Sequence, residues 1–87
     1  MMRVLLPTML RSYSGGAAEV EGDGRTLAEL LGDLDARYAG IRFRIIDEQD
    51  RVRQHVRIFV DGEAARELSV PLSSNSVVQV VGALSGG

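Results

Sequence analysis

Two glycines, Gly86 and Gly87, close the sequence behind Leu84 and Ser85. Their chemistry lies in the main chain. A carboxylate on Gly87 needs no side chain to become an acyl adenylate. One of its oxygens attacks the α-phosphorus of ATP, and pyrophosphate leaves. Reaching that phosphorus inside another protein demands a segment that is thin and adaptable. Glycine has no Cβ and adopts backbone angles closed to other residues, and Ser85 is small. Leu84-Ser85-Gly86-Gly87 therefore reads as a flexible tail whose working group is the Gly87 carboxylate.

Other chemistry is scarce. The chain has no Cys, which excludes disulfides, cysteine zinc sites, iron–sulfur clusters and thiol nucleophiles. His55 is the single histidine, and a polar residue at a strand edge describes it better than a metal ligand. Asp47, Glu48 and Asp50 miss the spacing of a calcium loop. Ser14-Gly15-Gly16 lacks the Lys and the strand–helix setting of a phosphate loop, so it reads as a turn. No Ser/His/Asp arrangement is present. The chain is expected to hold no metal and no bound cofactor, and not to be an enzyme. Ten basic and twelve acidic residues leave a net charge of −2, so the footprint of a nucleic-acid binder is missing. All the basic residues are Arg. Arg42, Arg44, Arg51, Arg53 and Arg57 cluster in sequence, but Asp47, Glu48 and Asp50 interleave with them, which favours a solvated face. The apolar run at the N-terminus is short and ends at Pro7, and no segment has the length of a membrane span. A cytoplasmic protein with no membrane partner is expected.

The tail must be carried by something. At 87 residues with 45% hydrophobic side chains, the chain has the material for one small domain. Met2 to Leu6 reads as a first strand closed by Pro7, and Ala17 to Glu21 as a second, broken by Gly22-Asp23-Gly24. Thr26 and Glu29 form a capping box, and Leu27, Leu30, Leu31, Leu34 and Tyr38 make one apolar helical stripe. Asp33 and Arg37 are spaced to pair on that helix. Gly40 suits the left-handed position after it, and close packing against a sheet would explain Gly32 inside it. Ile41 to Ile46 is either a helical turn or an irregular apolar segment. His55 to Val60 alternates, Asp61-Gly62 signals a hairpin, Glu63 to Leu68 returns, and Val77 to Val81 is a β-branched final strand. The fold expected is α+β: a β-grasp domain over residues 1–82, with a mixed sheet of four to five strands covered by one main helix. Its first and last strands lie parallel at the centre. Residues 83–87 form the tail.

Read together, Pro7-Thr8-Met9-Leu10-Arg11, Gly15-Gly16, the helix from Thr26 to Tyr38 with Gly40-Ile41, Val56-Arg57-Ile58-Phe59-Val60-Asp61-Gly62 and the Gly-Gly end resemble the ThiS/MoaD family of ubiquitin-like sulfur carriers. The branch that feeds sulfur to cysteine synthesis resembles the chain most. The resemblance implies adenylation of Gly87 by an ATP-dependent activating enzyme, an adenylyltransferase/sulfurtransferase. Sulfur then replaces AMP to give a thiocarboxylate, and a synthase accepts that sulfur for cysteine, thiamine thiazole or molybdopterin. ATP is used by the activating enzyme and is not held by the carrier. A ubiquitin-like modifier joined to target lysines through Gly87, the small subunit of a molybdopterin synthase, and an interaction domain with an inert tail are the alternatives.

Strand alternation also suggests a docking face. If Val56, Ile58 and Val60 face the helix, Phe59 faces away. Leu5 and Val77 or Val81 do the same on neighbouring strands, with Arg3 and Arg57 at the rim.

Overall fold

The computed structural model describes residues 1–82. Five strands form one mixed sheet: β1 (Met2–Leu5), β2 (Glu19–Gly22), β3 (Val56–Val60), β4 (Glu63–Ala64) and β5 (Val77–Gly82). Their order across the sheet is β2-β1-β5-β3-β4. β1 and β5 pair in parallel, with Arg3 beside Val77 and Leu5 beside Gln79, and the remaining neighbours are antiparallel. The fold is a ubiquitin-like β-grasp.

Period-two alternation assigns the faces. Met2, Val4, Val20, Val56, Ile58, Val60, Val78 and Val80 are buried beneath the helices. Between them Arg3, Leu5, Arg57, Phe59, Val77, Gln79 and Val81 point to the other side. Helix α1 (Leu27–Arg37) closes the inner face with Leu27, Leu30, Leu31 and Leu34, each at most 1% exposed. Burial of such side chains stabilises by roughly 1.5–3 kcal/mol apiece before the entropy cost of ordering them. Helix α2 (Ile41–Ile45) is one turn of helix that buries Ile41 and Ile45 at i, i+4 spacing. It begins at Gly40, whose φ of 94° only glycine adopts readily.

The details depart from the sequence expectations in four places. The capping box is not reciprocal: the Glu29 N–H donates to Thr26 Oγ1, but Glu29 Oε1 accepts from Arg25 N, one residue before the cap. Gly22 does not break β2; it pairs with Met2 inside the strand. It is glycine because Leu30 Cδ1 and Leu34 Cδ2 lie 2.7 and 3.0 Å from where its Cβ would stand. Gly32, in contrast, is exposed and meets nothing, so close packing does not account for it. The strand expected over 63–68 stops at Ala64. Beyond it, the carbonyls of Leu68 and Val70 accept the N–H groups of Ala28 and Leu27. These two donors have no partner within α1, and the departing chain satisfies them.

Residues 8–14, to which the sequence analysis assigned no element, form a 3₁₀ segment (Thr8–Ser14) that buries Leu10 and ends at the left-handed Gly15. No helix among the described residues is long and apolar enough to cross a membrane.

Candidate functional site

The expected working residues Leu84, Ser85, Gly86 and Gly87 lie outside the described residues, as does the tail they form. The structure does describe the root from which the tail departs. β5 ends at Gly82, directly across from Val56 of β3. Because β5 is the middle strand, its backbone is held on both sides, by β1 over 77–79 and by β3 over 78–82. The last described residue, half-buried Gly82, is thus held by β3 at the end of a central strand, past the point where β1 stops pairing.

Met9 lies over this root. Its Sδ and Cε are 2.9 and 3.2 Å from the position a Cβ on Gly82 would take. Glycine at 82 lets the Met9 side chain rest on the end of β5. On one flank of Met9, an open groove of about 630 Å³ is lined by Leu5, Pro7, Gln79, Val81 and Gly82. On the other flank, a cleft of about 330 Å³ is lined by Leu10, Phe43, Arg44, Arg53 and His55 together with Met9 itself.

All six residues that alternation assigned to a docking face lie on the helix-free face of the sheet. Leu5, Phe59, Val77 and Val81 are half-buried there, while Arg3 and Arg57 are exposed. Strand register sets Leu5 and Phe59 on either side of Gln79, sets Arg57 beside Val81 and sets Arg3 beside Val77. Neither guanidinium is bare. Arg3 pairs with Glu19 at 3.1 Å, and Arg57 Nη1 donates to the carbonyls of Gln54 and Val56. Gln79 occupies the centre of the face and had no place in the sequence reading. It is the polar residue of Val77-Val78-Gln79-Val80-Val81, and its own alternation points it outward.

Sequence reasoning also passed over Met9 and Phe43, which are 45% and 53% exposed and stand with Met1 as the large apolar side chains left in solvent among the described residues. A signal for Phe43 existed: with Ile41 and Ile45 buried one helical turn apart, position 43 falls on the opposite side. Its ring is fixed by Arg53, whose guanidinium lies 4.6 Å from the ring centroid and whose Nε donates to the Phe43 carbonyl at 2.7 Å.

The clustered arginines divide. Arg42 pairs with Asp50 at 2.9 Å, and Arg51 bonds Gln49. Asp47 turns to its own loop and accepts the N–H groups of Gln49 and Arg51 at 2.8 and 3.0 Å. The Arg51 amide, first among its causes, holds the Asp47 carboxyl below its usual range. Arg44 and Arg53 instead face the cleft, where no carboxylate among the described residues lines the wall. Among the described residues, no group of three or more His, Asp or Glu side chains is arranged to hold a metal ion.

The model of the ThiS family matches residues 4–87, nearly the whole chain. The chain belongs to the ThiS family. Like other ThiS-family proteins it is a small ubiquitin-like carrier and not a catalyst. It is 34% identical over 89 residues to the sulfur carrier protein CysO of Mycobacterium tuberculosis, covering 97% of this chain and 96% of that protein. The crystal structure of Mycobacterium tuberculosis CysO superposes with a TM-score of 0.91 at 29% identity, over 97% of this chain and 100% of that one. The CysO chain in the crystal structure of the Amycolatopsis orientalis BexX/CysO complex gives a TM-score of 0.91 at 28% identity, with 100% of both chains covered. SAMP1 from Haloferax volcanii, at 23% identity and a TM-score of 0.76, shares the fold.

Proposed function

We propose that this ThiS-family chain is a cytoplasmic sulfur carrier that works through the carboxylate of Gly87. An activating enzyme adenylates that carboxylate with ATP, releasing pyrophosphate. A sulfide nucleophile then attacks the carbonyl carbon. The new C–S bond forms as the C–O bond to phosphate breaks, and AMP leaves behind a thiocarboxylate. A synthase takes the sulfur onward, and cysteine synthesis is the destination the resemblance favours. The reading rests on identity to the sulfur carrier protein CysO across 97% of the chain. The anchoring of Gly82 in the central strand supports it, because a rigid root lets an extended tail enter a partner's pocket while the domain stays outside.

The helix-free face around Leu5, Gln79, Phe59, Val77 and Val81 is the surface on which we expect the activating enzyme to dock, with Arg3 and Arg57 at its rim. Half-buried apolar side chains around a polar centre fit an interface that forms and releases.

Intact-mass and fragmentation spectrometry of the protein from its own host, beside a Gly87 deletion, tests the proposal. Exchange of one carboxylate oxygen for sulfur adds nearly the mass of one oxygen, as does oxidation of Met1, Met2 or Met9. The shift must therefore be localised to the last residue. Sulfur on Gly87 that disappears in the deletion is the expected result. Gly87 found instead on target lysines would replace the carrier by a modifier. A terminus left inert by ATP, sulfide and the host's activating enzymes would leave an interaction domain.

A further inference from the structure

Five residues follow Gly82, and an extended chain of that length spans at most about 18 Å. An enzyme that acts on Gly87 must place its reacting atoms within that reach of the tail root. The wall of its entrance then has to lie against whatever surrounds Gly82. One flank of the root is the groove leading to the helix-free sheet face. The other flank is the cleft of Met9, Leu10, Phe43, Arg44, Arg53 and His55.

That second flank has three features that a solvated surface does not need. Met9 and Phe43, two of the three large apolar side chains most exposed among the described residues, share it. Phe43 is held in place while exposed, by the Arg53 guanidinium over its ring and the Arg53 Nε bond to its carbonyl. Its charged lining is cationic, from Arg44 and Arg53, in a chain of net charge −2. The Arg44 side chain has no hydrogen-bonding or ion-pair partner among the described residues.

We infer that Met9, Phe43, Arg44 and Arg53 form a second contact surface, which seats the entrance rim of the enzyme that adenylates Gly87. That rim carries carboxylates facing Arg44 and Arg53 and an apolar side chain against Phe43. The inference rests on the proposed carrier function and deepens it. Enzyme contact then straddles the tail root, with the sheet face on one side, the cationic cleft on the other and Met9 between them. Arginine and a rigid aromatic ring are the side chains that most often concentrate binding energy at such contacts, and opposite charge around a channel entrance speeds encounter.

The test is ATP–pyrophosphate exchange by the host's purified adenylating enzyme, with the carrier concentration varied. Contacts made equally in the ground and transition states set KM and leave kcat alone. Phe43→Ala combined with Arg44→Glu is expected to raise KM for the carrier about tenfold or more, with kcat unchanged. Raising the salt concentration should raise the wild-type KM more steeply than that of Arg44→Glu. Arg25→Glu, at the opposite end of the sheet, serves as the charge control and should leave KM where it was. Both test positions are exposed, and Arg44→Glu alone covers the case in which loss of Phe43 lowers the melting temperature. If the wild type is adenylated and both variants keep its KM, the second surface is ruled out while the carrier function stands. If the wild type itself is not adenylated, the proposed function falls and takes this surface with it.

Discussion

The two ends of the sheet are built on opposite plans. At the end where β2 finishes and α1 begins, leucine side chains press on Gly22 and, at Gly24, main chain presses on main chain. A Cβ on Gly24 would stand 2.5 Å from the backbone nitrogen of Leu30 and 2.9 Å from the carbonyl carbon of Glu29. The Arg25 carbonyl accepts from Leu72 N, Thr26 bridges to Pro71, and Glu29 holds Arg25 N. At the end where β5 finishes, contact is side chain on main chain. Met9 lies on Gly82, Phe43 stands in solvent, and Arg44 faces a cleft. One end is sealed by groups that cannot move independently; the other is covered by groups that can. The proposed carrier function would use both, a domain that holds its shape and a tail root that partners could uncover.

A matched pair of substitutions would break this contrast or sharpen it. Gly24→Ala forces α1 away from β2, because the obstacle is helix backbone. It should cost about 3 kcal/mol, a drop of about 12 °C or more in Tm for a domain of this size. Gly82→Ala meets only the end of a flexible methionine. The Met9 side chain can turn to another rotamer, at a cost of about 0.5–1.5 kcal/mol. Thermal melts of the two variants give the comparison directly. Equal losses would mean that the tail root is as rigidly sealed as the helix start, and the contrast would be gone.

The same division decides what the sequence made legible. The sealed regions obey rules of period and capping. The leucine stripe of α1, the Thr26 cap, the Asp61-Gly62 turn and the alternation of β3 and β5 all appear where those rules put them. The central place of β5 agrees with the apolar character of the last strand, and its parallel pairing with β1 is the one expected of a β-grasp arrangement. Alternation also groups the helix-free face correctly, although it overlooks Gln79. The tail root is a different matter. Met9 belongs to a 3₁₀ segment with no apolar period, and Phe43 to a helix of five residues whose one pair of isoleucines, Ile41 and Ile45, is a slender signal for its outward face. Their meeting in one cleft is tertiary, set by where a 3₁₀ segment and a one-turn helix come together. Gly22, expected to break β2, and Gly32, expected to pack closely, depart from those expectations for a related reason. A glycine's sequence neighbours do not reveal whether another element presses on it.

Gly32 refines the comparison from the middle of α1. The helix is pressed against the sheet at Gly22 and Gly24, whereas Gly32 faces solvent with nothing within 4 Å of a Cβ. Gly32→Ala should therefore stabilise the domain by about 1 kcal/mol, the helix-propensity difference between the two residues. A chemical-denaturation midpoint that rises with an unchanged slope is the expected observation. A fall would mean that the outer face of α1 carries a packing constraint like the one at its start.

The smallest effect concerns the ion pair that ties α1 to the sealed end. Asp33 Oδ2 accepts from Arg37 Nε at 2.8 Å and from the Asp23 N–H at 2.8 Å. The hydrogen bond from Arg37 comes first and that from the Asp23 amide second in holding the Asp33 carboxyl below its ordinary range. A carboxyl whose folded pKa lies below its unfolded value of about 3.9 stabilises the fold at pH values above that figure. The contribution fades as pH drops through the lower, folded value. Asp33→Asn keeps an acceptor for Asp23 and removes the charge. At pH 7 it should cost a few tenths of a kcal/mol, the usual worth of an exposed i,i+4 pair. Once the pH lies below the lowered, folded value, most of that difference should be gone, because protonation neutralises the wild-type side chain as well. Paired denaturation curves at the two pH values measure it. A difference that persists unchanged at low pH would assign the effect to the shape of the hydrogen bonds, and the charge on Asp33 would then play no part in sealing that end.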